Sequence, residues 1–163
     1  MRITISPIAK VSKWLCLLVA LASPSVFAET TQQHIHEMSH HVMPFAMSET
    51  THVFTMTEQG GVMSVIAKDA SASDQVSLIQ RHLTHQAKLF SQGDYSAPAS
   101  LHGDTMPGLK TLQQRASELR VLYTATPEGA NIEFKTTDLT LITAIHRWFG
   151  AQLSEHGADA RAE

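Results

Sequence analysis

The sequence predicts an α+β domain, a four-stranded antiparallel sheet made from two β-hairpins with two main helices on one face. Three observations carry this. Residues 52–57 alternate, with His52, Phe54 and Met56 on one side and Val53, Thr55 and Thr57 on the other, ahead of Gly60-Gly61 and the β-branched run from Val62 to Lys68. Residues 119–124 and 130–135 repeat that plan around Pro127-Glu128-Gly129. Each hairpin precedes a stretch of helical period: Val76, Ile79, Leu83, Ala87 and Phe90 form one apolar stripe, and Leu141, Ile142, Ile145, Phe149 and Leu153 form another.

In chain order, residues 1–28 read as an export signal. Arg2, Lys10 and Lys13 come before the short apolar run Trp14–Ala22, and Val26-Phe27-Ala28 offers small residues for cleavage after Ala28. The apolar run is shorter than the roughly 20 residues that span a bilayer, so the expected product is periplasmic or secreted and leaves the membrane once cleaved. Cleavage would remove 28 of 163 residues and leave 135, enough for one core. It would also remove three of the 12 basic residues and none of the 15 acidic ones, giving a formal charge of −6. That balance argues against a nucleic-acid partner. The one cysteine, Cys16, lies in the signal, so neither disulfides nor thiolate metal sites are expected in the remainder.

Residues 29–51 have no clean period and contain Pro44, which predicts an N-terminal arm, flexible to about Ser39 and then docked through Val42, Phe45 and Met47. The single domain is expected over residues 52–163. After the first hairpin, Ser71 and Asp74 suggest a capping pattern for the first main helix. His82 falls on the shoulder of its stripe and His85 points toward water. Residues 93–108, with three glycines and two prolines, read as a long ordered loop, and a short helix is expected from Leu109 to about Glu118. Asp138 is the expected cap of the last helix, which runs to about Glu155 with His146 at the edge of its buried arc. Both halves read strand, turn, strand, helix, an arrangement compatible with a ββα duplication.

The densest chemistry lies in HIHEMSHHVMPFAM. His34, His36, His40 and His41 with Met38, Met43 and Met47 fall within residues 34–47. Imidazole suits Cu(II), Zn(II) and Ni(II), and thioether suits Cu(I), so copper is the metal expected, with zinc or nickel as alternatives. His82, His102, His146 and His156 are candidate partners from the folded body. Acids near His102 and His156 could orient the rings. These residues predict an exported metal buffer, chaperone or sensor, whose partners are the ion and a periplasmic protein. The other readings are a non-catalytic protein-interaction domain, a noncovalent haem protein using the same His and Met residues, and a small hydrolase-like protein centred on Asp94, His102 and Asp104. No nucleophile elbow, zinc-protease helix or phosphate-binding glycine loop is present in the sequence.

The segments HHVMPFAM, TEQGGV, GDYSAPASLHGDTMPGL and AIHRWFGAQLSEHGADA resemble a family of small exported bacterial proteins, some labelled aspartate carbamoyltransferase. The resemblance runs from about His40 onward and implies a compact exported domain. It does not imply the reaction in the label, because the chain has no Ser-x-Arg-Thr motif and no large two-domain body.

Overall fold

Two hairpins, laid side by side, make the centre of the sheet. In the computed structural model, which describes residues 31–163, strand β1 (Thr50–Thr57) pairs with β2 (Gly60–Ala67), and β3 (Arg120–Thr126) pairs with β4 (Gly129–Lys135), both antiparallel. Antiparallel pairing of β2 with β4 joins the hairpins. A fifth strand, β5 (Ala160–Ala162), adds in parallel to the free edge of β1, so the order is β3-β4-β2-β1-β5. The sheet is therefore five-stranded and mixed, where the sequence predicted four antiparallel strands. Three residues without branched side chains give no periodic signal, and this strand forms only because the last helix delivers it beside β1.

The helices are α1 (Thr31–Met38), α2 (Ser73–Ser91), α3 (Ser96–His102), α4 (Leu109–Gln114) and α5 (Leu139–His156). Each main helix crosses to the other hairpin. α2 follows β2 yet packs mainly on β4 and β3, while α5 follows β4 and packs on β2 and β1. The exchange ties both ββα halves into one core, where Phe54, Ile79, Leu83, Ile132, Phe134, Trp148 and Phe149 are buried. Alternation on β4 places Ala130, Ile132 and Phe134 against the helices, while Asn131 and Glu133 stay half-exposed on the opposite face.

Local chemistry explains the turns and ends. At the first turn Gly60 has φ +136°, whereas Gly61 has ordinary backbone and is needed for space, since a Cβ there would lie 2.6 Å from the Phe149 ring. The expected Ser71 cap is not used. Ser71 bonds to Asp69, and α2 starts at Ser73 without a side-chain cap. Asp138 does cap α5, accepting from Leu141 N at 2.9 Å, and Arg115 holds the same carboxylate. The Arg115 hydrogen bond, followed by the Leu141 N–H, lowers the Asp138 pKa to about 2. Asp138→Ala is expected to lower the thermal midpoint by several degrees, and Asp138→Asn, which keeps a capping oxygen, by less. An unchanged midpoint in Asp138→Ala would remove the cap from the account.

The N-terminal segment differs from the flexible arm expected. Residues 31–38 form α1, which packs against α5 with Ile35 buried, and Gln32 Nε2 donates to Ser154 O at 3.1 Å. Only Ile35 of its eight residues is buried, and so short a helix gives no recurring apolar stripe along the sequence. Beyond it Met43, Phe45 and Met47 enter the core as the docking residues do in the expected arrangement, with Met43 in place of Val42 among the fully buried ones. The expected loop at 93–108 contains α3, and the expected helix at 109–118 is α4 followed by a single 3-10 turn at Ala116–Glu118. The proposed signal, residues 1–28 with Cys16, lies outside the described residues. Among the described residues no helix is long and apolar enough to cross a membrane.

Candidate metal centre

A cavity of about 60 Å³ lies between the helices and the β1–β2 end of the sheet. Six parts of the chain converge on it. The segment after α1 supplies Met43 and Phe45; β1 supplies His52; β2 supplies Met63 and Val65; α3 supplies Leu101 and His102. From α2 come His82, Gln86 and Phe90, and from α5 come Trp148, Gln152 and His156. Each helical trio follows i, i+4, i+8 spacing, so it lines one face.

Two ring contacts, both made by His156, join three imidazoles here. The His52 and His156 rings stack with centroids 4.9 Å apart and planes 11° apart, and His102 meets His156 edge-on, also at 4.9 Å. His82 packs edge-on against Phe45 at 5.6 Å. Glu155 Oε2 accepts from His102 Nδ1 at 2.7 Å, with the His102 side chain only 1% exposed. A carboxylate accepting at Nδ1 fixes the tautomer and leaves the lone pair on Nε2, the arrangement second-shell acids produce at metal sites.

All four rings resist protonation. Burial is the main cause throughout. It lowers His52 to about 4, helped by His82, and it lowers His82 to about 4, helped by His85. His156 falls to about 2 through burial and its neighbours His52 and His102. At His102 burial outweighs the opposing pull of Glu155, and the pKa is lowered. Near neutral pH the site thus presents neutral imidazoles, the form that binds metal.

The polar atoms around the cavity are incompletely satisfied. His52 Nδ1, His156 Nδ1, Trp148 Nε1 and Gln152 Nε2 are buried without a protein hydrogen-bond partner. Each such atom costs about 1–3 kcal/mol when nothing compensates it, and folded proteins keep few of them. Among the described residues, no three His, Cys, Asp or Glu side chains already form a metal-ligand set.

The residues singled out in the sequence divide sharply. His82, His102 and His156 reach the cavity, as does Met43. His34, His36, His40 and His41 are exposed, as is Met38, and Met47 is in the core away from the cavity lining. His40 and His41 contact each other at 4.0 Å, and His36 Nδ1 pairs with Asp159 Oδ2 at 2.8 Å. His146 serves the fold: its Nε2 donates to Thr57 O at 3.0 Å and Gly60 O at 2.8 Å, holding the first hairpin turn to α5. The Asp94–His102–Asp104 grouping is not formed as a unit, because His102 bonds Glu155 and Asp94 accepts from Ser96 N. Sequence reasoning missed His52, Met63, Gln86 and Gln152 as site residues. His52 shares a strand face with Phe54, and a histidine or glutamine on an otherwise apolar face was the available signal.

His156 also borders a surface recess shared with Gln32, His36 and Asp159, so one ring adjoins both the cavity and a solvent-facing hollow. No family model, curated protein or solved structure matches the chain.

Proposed function

We propose that this protein is an exported copper-binding protein, acting as a buffer, chaperone or sensor, and that its metal site is the histidine-lined cavity. The supporting observation is the contact of His52, His102 and His156 in an apolar pocket, with Nδ1 of His52 and His156 unpartnered and Met43 and Met63 beside them. Neutral nitrogen and thioether donors with no carboxylate lining the cavity match copper in both oxidation states better than a hard cation. Zinc and nickel share the imidazole preference and are the competing ions.

The His52 and His156 planes are nearly parallel, so in-plane lone pairs on the two rings do not meet at one point, and chelation of one ion requires at least one ring to turn into the cavity beside them. Its volume suits an ion. Sites that enclose organic ligands are about 300–1,000 Å³, which argues against haem in this cavity. Glu155 would hold His102 in its binding tautomer.

Equilibrium competition with a chromophoric chelator, using the purified protein with Cu(I), Cu(II), Zn(II) and Ni(II), tests the reading. One copper per chain is expected. Affinity should fall about a hundredfold or more in His52→Ala or His156→Ala, and about tenfold in Glu155→Gln. Joint replacement of His34, His36, His40 and His41 by Ala should change it less than about threefold, since none of them lines the cavity. Absence of binding, or loss that follows the four exposed histidines instead, would sink the proposal.

A further inference from the structure

We infer that the cavity holds, beside the metal, one small hydrogen-bond-accepting ligand of up to about three heavy atoms, bonded by Trp148 Nε1–H and Gln152 Nε2–H. This deepens the metal reading and rests on it. Trp148 is fully buried and Gln152 only 5% exposed, both line the cavity, and both named nitrogens lack a partner.

The chemistry of these two atoms separates them from the imidazoles. An indole N–H has no lone pair available for a metal and can only donate, and an amide NH₂ likewise donates. Neither group can be satisfied by the ion itself. Each can be satisfied by an acceptor atom bound to the ion, as donors at metal sites orient a coordinated ligand.

Size and charge define the class of ligand. A water needs about 10–15 Å³ of such space, so about 60 Å³ holds an ion with a ligand of two or three atoms. No lysine or arginine lines the cavity, so no fixed positive side chain is there to balance a multiply charged anion. The fitting class is a neutral or singly charged acceptor such as water, hydroxide, a diatomic oxygen species or a linear triatomic anion. Trp148, Gln152 and His156 follow one another at one-turn steps along one face of α5, with Gln152 one turn and Trp148 two turns from the proposed metal ligand. The protein would accordingly leave one coordination position for exchangeable ligand, which distinguishes it from a carrier that encloses its ion completely.

Azide is the probe. The protein, loaded with one equivalent of Cu(II), is titrated with sodium azide and followed by the azide-to-copper charge-transfer absorption and by electron paramagnetic resonance. A saturable band is expected. It should survive joint replacement of His34, His36, His40 and His41 by Ala, which removes exposed copper sites. Gln152→Leu, nearly isosteric, and Trp148→Phe, each compared with the parent protein at equal verified copper loading, should weaken azide binding about tenfold or more. Circular dichroism checks that both variants fold, and Gln152→Leu carries the test if Trp148→Phe does not.

Copper held by His52 and His156 with no azide band, or with azide affinity untouched in the folded variants, would overturn the inference and leave the metal reading standing. No copper at these residues would overturn both.

Discussion

Stability is expected to fall steeply as the pH drops from about 6.5 to about 4. In that window the unfolded chain protonates its histidines at their ordinary value, while folded His52 and His82 stay neutral down to about pH 4 and His156 lower still. The unfolded state therefore binds more protons, and by linkage the folding free energy shrinks as pH falls through the window. The contribution is intact above pH 6.5. A depression like that of His52, a ring with no solvent exposure to speak of, corresponds to on the order of 3 kcal/mol. His82 is only partly buried and adds less. Urea unfolding at a series of pH values from 7.5 to 4.5 measures the slope directly. A flat profile would mean that the folded site takes up protons freely, and the neutral-imidazole account would be wrong. Asp138 acts in a lower window, its share lost only as pH falls from about 4 to about 2, below the range of the urea series.

The second large effect has the opposite sign. Joint substitution His52→Phe and His156→Phe is expected to stabilise the protein by about 2–4 kcal/mol while abolishing copper binding. Both imidazoles bury an Nδ1 without a partner, and phenyl rings of similar shape remove that desolvation cost while retaining the stack. The neighbouring cavity can take the slight increase in ring size. Because the rings touch, the gain need not equal the sum of the single substitutions, so both singles and the double belong in one cycle. The double variant should also lose most of the acid sensitivity between pH 6.5 and 4. A clear loss of stability at pH 7.5 would instead show that the two histidines are satisfied in the folded protein. Stability surrendered at one cluster of residues is a common mark of a functional site.

Much of the frame was legible because it rests on periodic burial. The alternation around Ile132 and Phe134, the stripe from Ile79 to Phe90 and the cap at Asp138 are local patterns, and the structure contains all three. α1 was not legible, since Ile35 alone anchors it, and β5 was not, since it depends on a partner strand far away in sequence. The site was read in part. Counting histidines along the chain favoured residues 34–47, but metal sites need side chains that converge in space. Helix faces and nearby acids mark His82, His102 and His156 individually. His52 was read by its strand face alone, although that face put it among the buried residues. Only the packing of α5 over β1 brings it to His156.

The pairing of β5 with β1 bears on the timing of assembly. His52 and His156 stand about a hundred residues apart, and β5 begins just after the short turn that follows His156, with Ala160 set opposite His52 in the ladder. Closing so long a loop is slow and comes after local elements have formed. A chain still emerging from synthesis has His52 in its first hairpin long before His156 can reach it. Ion capture at the proposed site would therefore wait for α5 to pack over β1, making the proposed loaded state a property of the folded chain.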